Sequence, residues 1–166
     1  MGDSNENRRK SKKIQGARGR SLKDKTPVVG AVERNGNIVV YSVPNMQKAV
    51  ITSIIRKHVE KGATMVTDEY PIYISLKNEY NHQVIQHRLK EYVRGDIHTN
   101  TIEGFWGILK RGIIGIYHQV SIQHLQRYCD EFAARYNTRS IKDNERFELS
   151  IKNSEGRLKY NELIGK

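Results

Sequence analysis

Cysteine occurs once in the 166 residues, at Cys129, so no internal disulfide can form. That excludes both a cystine-stapled secreted scaffold and a cysteine-rich zinc module, and the chain reads as intracellular. Long apolar runs are also missing. The strongest, residues 49–55, is broken by Thr52 and Ser53 and falls far short of a bilayer span, so no membrane partner is expected. The opening MGDSNENRRKSKK is basic but leads into no apolar stretch, which leaves no secretory signal. Acids are scarce against bases, at 18 Asp and Glu to 29 Lys and Arg, giving a net charge of +11. The remaining composition, 37% hydrophobic, is enough for one packed domain and excludes wholesale disorder.

A basic excess of this size favours a polyanion, and nucleic acid first. The excess is uneven. Residues 1–25 hold nine Lys or Arg (Arg8, Arg9, Lys10, Lys12, Lys13, Arg18, Arg20, Lys23 and Lys25) against three acids, a net of +6. With almost nothing apolar to bury, the segment reads as a basic, flexible arm whose phosphate contacts bind DNA without sequence preference.

From Thr26 the pattern turns to β. TPVVGAVER and NIVVYSVP flank Asn35-Gly36, which predicts a hairpin with strands near 27–34 and 37–43 and a type I′ turn. Pro44-Asn45 then opens a helix to Lys61 with Met46, Val50, Ile54 and Ile55 on its apolar face, closed by Gly62. Residues 63–67 read as a buried strand with Asp68-Glu69 at its carboxyl end. A short helix follows from Pro71 to Glu79, then a strand near 83–87 and a polar loop over 88–97. Thr99 or Asn100 caps a helix over 101–111. Ser121 caps another to Asn137, striped by Ile122, Leu125, Tyr128, Cys129 and Phe132. Residues 140–166 form a charged extension with a weak amphipathic pattern.

Two carboxylates stand where a mixed α/β layer converges, Asp68 at a strand end and Glu103 in a helix's first turn. Carboxylate oxygens suit a hard divalent cation such as Mg²⁺, which serves phosphodiester chemistry. Taken alone, each acid also has a plain structural reading, as a solvated strand end and a helix-dipole partner. Glu103 and Lys110 lie seven residues apart on one helix face, able to address a metal-bound phosphate and its neighbour together. Gly104 and Gly107 weaken that helix unless something packs closely there. Phe105, Trp106 and Leu109 read as core, Lys110-Arg111 as a helix end favoured by the dipole, and Cys129 as buried and inert. His58, His82, His87, His118 and His124 are scattered and form no zinc-ligand pair on a recognisable helix.

Over residues 25–166, through KTPVVGAVERNG, TDEYPIY, HTNTIEGFWGILKRGIIGIYHQVS and YCDEFAARYNTR, the chain resembles the DDE transposases of bacterial insertion sequences. The likeness is to the ISXO-type transposase domain related to Merlin elements. The resemblance implies a ribonuclease H-like (retroviral-integrase-like) α/β fold, a mixed sheet with flanking helices over residues 26–139. It implies transposition by strand cleavage and strand transfer with Mg²⁺ or Mn²⁺, on transposon ends and target DNA, by a homo-oligomer in the cytoplasm at the nucleoid. Asp68 is then the second catalytic acid and Glu103 the third, with Asp68 and Glu103 as metal ligands. Lys110 is the basic residue that follows, and Asn100 is an alternative third ligand. His98 and Arg111 join Lys110 and the arm as DNA contacts.

The family's first catalytic Asp, on a central first strand, has no counterpart here, since Asp3 and Asp24 lack a strand context. The expectation is an amino-terminally truncated catalytic domain that binds DNA, does not cleave it, and carries unpaired edges on the hairpin and on the Asp68 strand. The alternative is a non-catalytic basic nucleic-acid-binding module in which Asp68 and Glu103 are structural.

Overall fold

The computed structural model describes residues 25–156 and 158–164. The basic residues from Arg8 to Arg20 lie outside the described residues. The strands are β1 (Val28–Val32), β2 (Ile38–Ser42), β3 (Thr64–Thr67), β4 (Asn81–Val84), β5 (Val93–Arg94) and β6 (Ile97–His98). The helices are α1 (Lys48–His58), α2 (Asn100–Gly112), α3 (Leu125–Asn137), α4 (Asp143–Lys152) and α5 (Tyr160–Ile164).

β1 and β2 pair antiparallel, from Val28 opposite Ser42 to Val32 opposite Ile38. Glu33 and Asn37 close the ladder around a three-residue loop, with the Glu33 N–H donating to the Asn37 carbonyl at 2.9 Å. In that loop Asn35 takes the positive φ of 60° and Gly36 does not, so the turn is not the type I′ expected from Asn-Gly. β3 and β4 pair parallel, and β5 and β6 form a small antiparallel hairpin inside the stretch expected to be a plain polar loop. Where the resemblance implies one mixed sheet, the described residues form three separate two-stranded sheets. Bonds from Val43 to Pro27 and from Glu33 to Asn37 fix the alternation in the hairpin. Val28, Gly30 and Val32 therefore point their backbone groups away from β2. No strand among the described residues pairs with that outer edge, or with the outer edge of β3.

Two apolar clusters hold these pieces. Ile38 and Val40 of β2 meet Phe105 and Leu109 of α2 and Leu125, Cys129 and Phe132 of α3, all nearly or fully buried. Gly30 and Gly112 are needed there for room. A Cβ on Gly30 would lie 2.8 Å from the Trp106 ring, and one on Gly112 would overlap the Phe132 ring. The second cluster joins Val29 and Val43 to Ile51 and Ile55 of α1, Met65 of β3, and Leu76 and Tyr80. Since each buried Leu or Ile side chain contributes about 1.5–3 kcal/mol, these two clusters are the main source of stability.

Several boundaries shift for local reasons. α1 starts at Lys48, because the Asn45 carboxamide accepts the Gln47 N–H at 3.0 Å in a turn ahead of the helix. Its buried face is Ile51, Thr52 and Ile55, a rotation from the expected stripe. Residues 71–76 form a 3₁₀ rather than an α-helix. α2 runs into a π-helical turn over Ile113–Tyr117, and a 3₁₀ turn precedes α3. Ile122, expected in the α3 stripe, is 74% exposed in that turn. α4 and α5 bury none of their described residues.

Candidate functional site

Asp68 follows β3 directly. Its Oδ1 accepts the Tyr70 N–H at 3.1 Å, a local turn that delivers Pro71 into the 3₁₀ helix, while Oδ2 has no hydrogen bond among the described residues. The Thr67 hydroxyl beneath it donates to the Asp68 carbonyl at 2.8 Å and lies 2.8 Å from His82 Nε2. Burial, followed by the Lys77 charge, lowers the pKa of His82 and favours its neutral form. Burial, followed by electrostatic interaction with Asp68 and then with Tyr70, pushes the Tyr73 phenol up to about 12. That phenol therefore stays protonated beside Asp68.

Glu69 points elsewhere. Its carboxylate accepts the N–H groups of His87 at 3.0 Å and Arg88 at 3.3 Å, fastening the segment after β4 to the end of β3. Partial burial pushes its pKa up, but bonds from its own N–H and those of His87 and Arg88 outweigh that, holding it below the usual carboxylate range.

Glu103 sits one turn into α2, half exposed at 52%. The hydroxyl of buried Thr99 donates to its Oε1 at 2.5 Å, and His87 Nε2 lies 3.1 Å from that hydroxyl and 3.3 Å from Oε1. Thr99 thus occupies the N-cap position without capping a backbone N–H; its side chain serves the Glu103 carboxylate instead. β3 contacts β6, and β6 leads straight into α2. His87 couples the two acidic ends: its N–H is held by the neighbour of Asp68 and its ring faces Glu103.

Of the other expected residues, Asn100 is the exposed first residue of α2 and makes no side-chain hydrogen bond among the described residues. His98 meets Arg34, whose guanidinium lies 2.6 Å from its Nε2 and also donates to the Asp96 carbonyl at 2.9 Å. Lys110 and Arg111 are exposed on α2, with no ion pair among the described residues. A Cβ at Gly104 would meet nothing within 4 Å among the described residues, so no packing among them requires glycine there. The sequence alone does not point to Glu69, His87, Thr99 and Arg34 for these contacts. The i, i+4 spacing of Thr99 and Glu103 is visible in it, whereas the His87 contact depends on how the loop folds back.

The donor chemistry at Asp68 and Glu103, hard carboxylate oxygens with one Asp68 oxygen free, fits a divalent cation that keeps several waters. No group of three or more His, Cys, Asp or Glu able to hold a metal occurs among the described residues.

Residues 3–137 match the family model of the ISXO2-like transposase domain. An uncharacterized transposase-like protein of Haemophilus influenzae is 30% identical over 101 residues, covering 60% of this chain and 80% of that protein. No solved structure matches.

Proposed function

The chain belongs to the ISXO2-like transposase domain family, and on that premise we propose that it is a DNA transposase catalytic domain of an insertion sequence. The observation that carries the reading is the coupling of the β3 end to the first turn of α2 through His87, with a carboxylate on each side. A ribonuclease H-like arrangement is supported by the hairpin, the parallel β3–β4 pair, and the open edges of β1 and β3, which a strand between them would use.

In this reading DNA is the partner, in the cytoplasm at the nucleoid, and the exposed Lys110 and Arg111 contact its phosphates. Asp68 and Glu103 would hold Mg²⁺ or Mn²⁺, which when bound supplies charge stabilisation to phosphodiester displacement. Thr99 and His87 orient the Glu103 carboxylate, and Tyr70 N–H orients that of Asp68. Asn100, exposed at the start of the same helix, is the alternative ligand.

Gel-shift titration of the full chain on a labelled duplex, with and without Ca²⁺ as a non-turnover cation, tests this. Affinity should fall steeply with salt, and deletion of residues 1–25 should flatten the slope. Ca²⁺ should tighten binding in the unsubstituted chain and lose that effect in Asp68→Asn and Glu103→Gln. Binding indifferent to Ca²⁺ and to both substitutions would favour the non-catalytic module.

A further inference from the structure

Residues 86–98 form an irregular segment that is braced from several sides, yet turns apolar side chains to water. Glu69 holds its base through the N–H groups of His87 and Arg88. The Arg94 guanidinium grips Glu91 at 2.7 and 3.1 Å and the Val84 carbonyl at 2.8 Å. Glu91 also accepts the Gln86 N–H at 3.1 Å, and Arg34 reaches across to Asp96 and His98. Lys90 is held in the left-handed region at φ 59°, a conformation disfavoured for a side chain and retained only where the surroundings fix it.

Such bracing costs chain entropy, and the segment does not recover it by burying its own apolar groups. Leu89 is 74% exposed, Tyr92 57% and Val93 51%. The charges around them are also sorted. Glu91 is consumed by the bracing, and Glu69 besides its two N–H bonds lies 3.5 Å from the Arg88 guanidinium; that contact leaves Arg88 84% exposed, so Arg88 and Lys90 are the outward charges beside Leu89 and Tyr92. Asp96 lies at the other end, in the β5–β6 turn. Tyr92 has one side against the His87 ring, with centroids 5.7 Å apart, and His87 in turn faces Glu103. A rigid aromatic and apolar tip flanked by cations complements flat apolar bases edged by phosphates. An intact duplex keeps those base faces stacked, so the tip fits DNA whose terminal bases are unpaired.

We propose that the tip at residues 88–93 holds an unpaired base at the end of the DNA substrate, with Tyr92 as the stacking platform and Arg88 and Lys90 on the flanking phosphates. This rests on the reading of DNA as substrate. Leu89 and Val93 wedge beside the displaced base, and the segment's attachment to His87 keeps that base next to the Glu103 end of the site.

The full chain is titrated with two fluorescein-labelled duplexes of identical sequence, one fully paired and one forked at its end, with 2-aminopurine at the unpaired position. The forked duplex should bind about tenfold more tightly, the scale of one base–aromatic stack. Its 2-aminopurine fluorescence should be quenched on binding. Tyr92→Ala should abolish preference and quenching while leaving paired-duplex affinity unchanged, and Tyr92→Phe should keep both. Circular dichroism of the variants controls for folding. Equal affinity of the unsubstituted chain for the two duplexes, or a preference that survives Tyr92→Ala, would overturn the proposal while leaving DNA as the substrate. Absence of binding to either duplex would overturn both.

Discussion

The two edges of the β1–β2 hairpin carry the same backbone groups, but only one is finished within the described fold. On the β2 side, the Asn137 carboxamide accepts from the Ile38 N–H at 2.7 Å and donates to its carbonyl at 3.0 Å. Earlier in α3, Gln126 accepts from the Ser42 N–H at 2.7 Å and donates to the Val40 carbonyl at 3.0 Å. Two amide side chains thus act as a surrogate strand for β2. The β1 side has no such strand cover among the described residues, nor has the outer edge of β3. A protein that seals one edge with two dedicated carboxamides treats an open edge as something to be managed. One of the two open edges belongs to β3, the strand that leads directly to Asp68.

The sharpest break of this comparison is a proline pair in β1. The Ala31 N–H faces β2, so Ala31→Pro should cost about 3 kcal/mol, read by urea denaturation. Val32→Pro removes an outward N–H and should cost only on the order of 1 kcal/mol. Equal costs would mean that the β1 edge is paired in solution. Next in size, Asn137→Ala leaves the N–H and carbonyl of the nearly fully buried Ile38 without partners and should cost about 2–3 kcal/mol by the same measurement. A smaller and opposite effect is expected on the open α2 face. Gly104→Ala meets no neighbour among the described residues and should stabilise the fold by about 0.5–1 kcal/mol in thermal unfolding, while weakening DNA binding if the bare helix face admits a phosphate chain. The smallest effect concerns pH. Hydrogen bonding from Arg94, followed by the Gln86 N–H, lowers Glu91 to about 2. Its folded pKa lies below the unfolded one, so its stabilising contribution is present above about 4.5 and lost as pH falls toward about 2. Glu91 carboxyl shifts followed by NMR should therefore titrate well below the ordinary carboxylate range.

The hairpin, the β3 strand, and the α2 and α3 helices are legible in the sequence, because β-branched alternation and helical spacing report a buried face at each. Phe105, Leu109 and Cys129 are readable as core for that reason. The rotation of α1 toward Ile51 is not, since its neighbours Val50 and Ile54 are equally apolar and only tertiary contacts choose between them. β5 and β6 escape such a reading because two-residue strands carry no periodicity. At the candidate site, position and resemblance point to Asp68, Glu103 and Lys110. The role of His87 is hidden, because it depends on a loop folding across residues far apart in sequence.

Whether Asp68 and Glu103 share one divalent cation is the central question, and paramagnetic broadening by Mn²⁺ in the full chain with bound duplex tests it most directly. Substoichiometric Mn²⁺ should broaden amide resonances of residues 67–69 and 99–104 together, and Glu103→Gln should abolish both effects. Broadening confined to one of the two segments, or spread over the exposed acids of α4, would contradict the shared site.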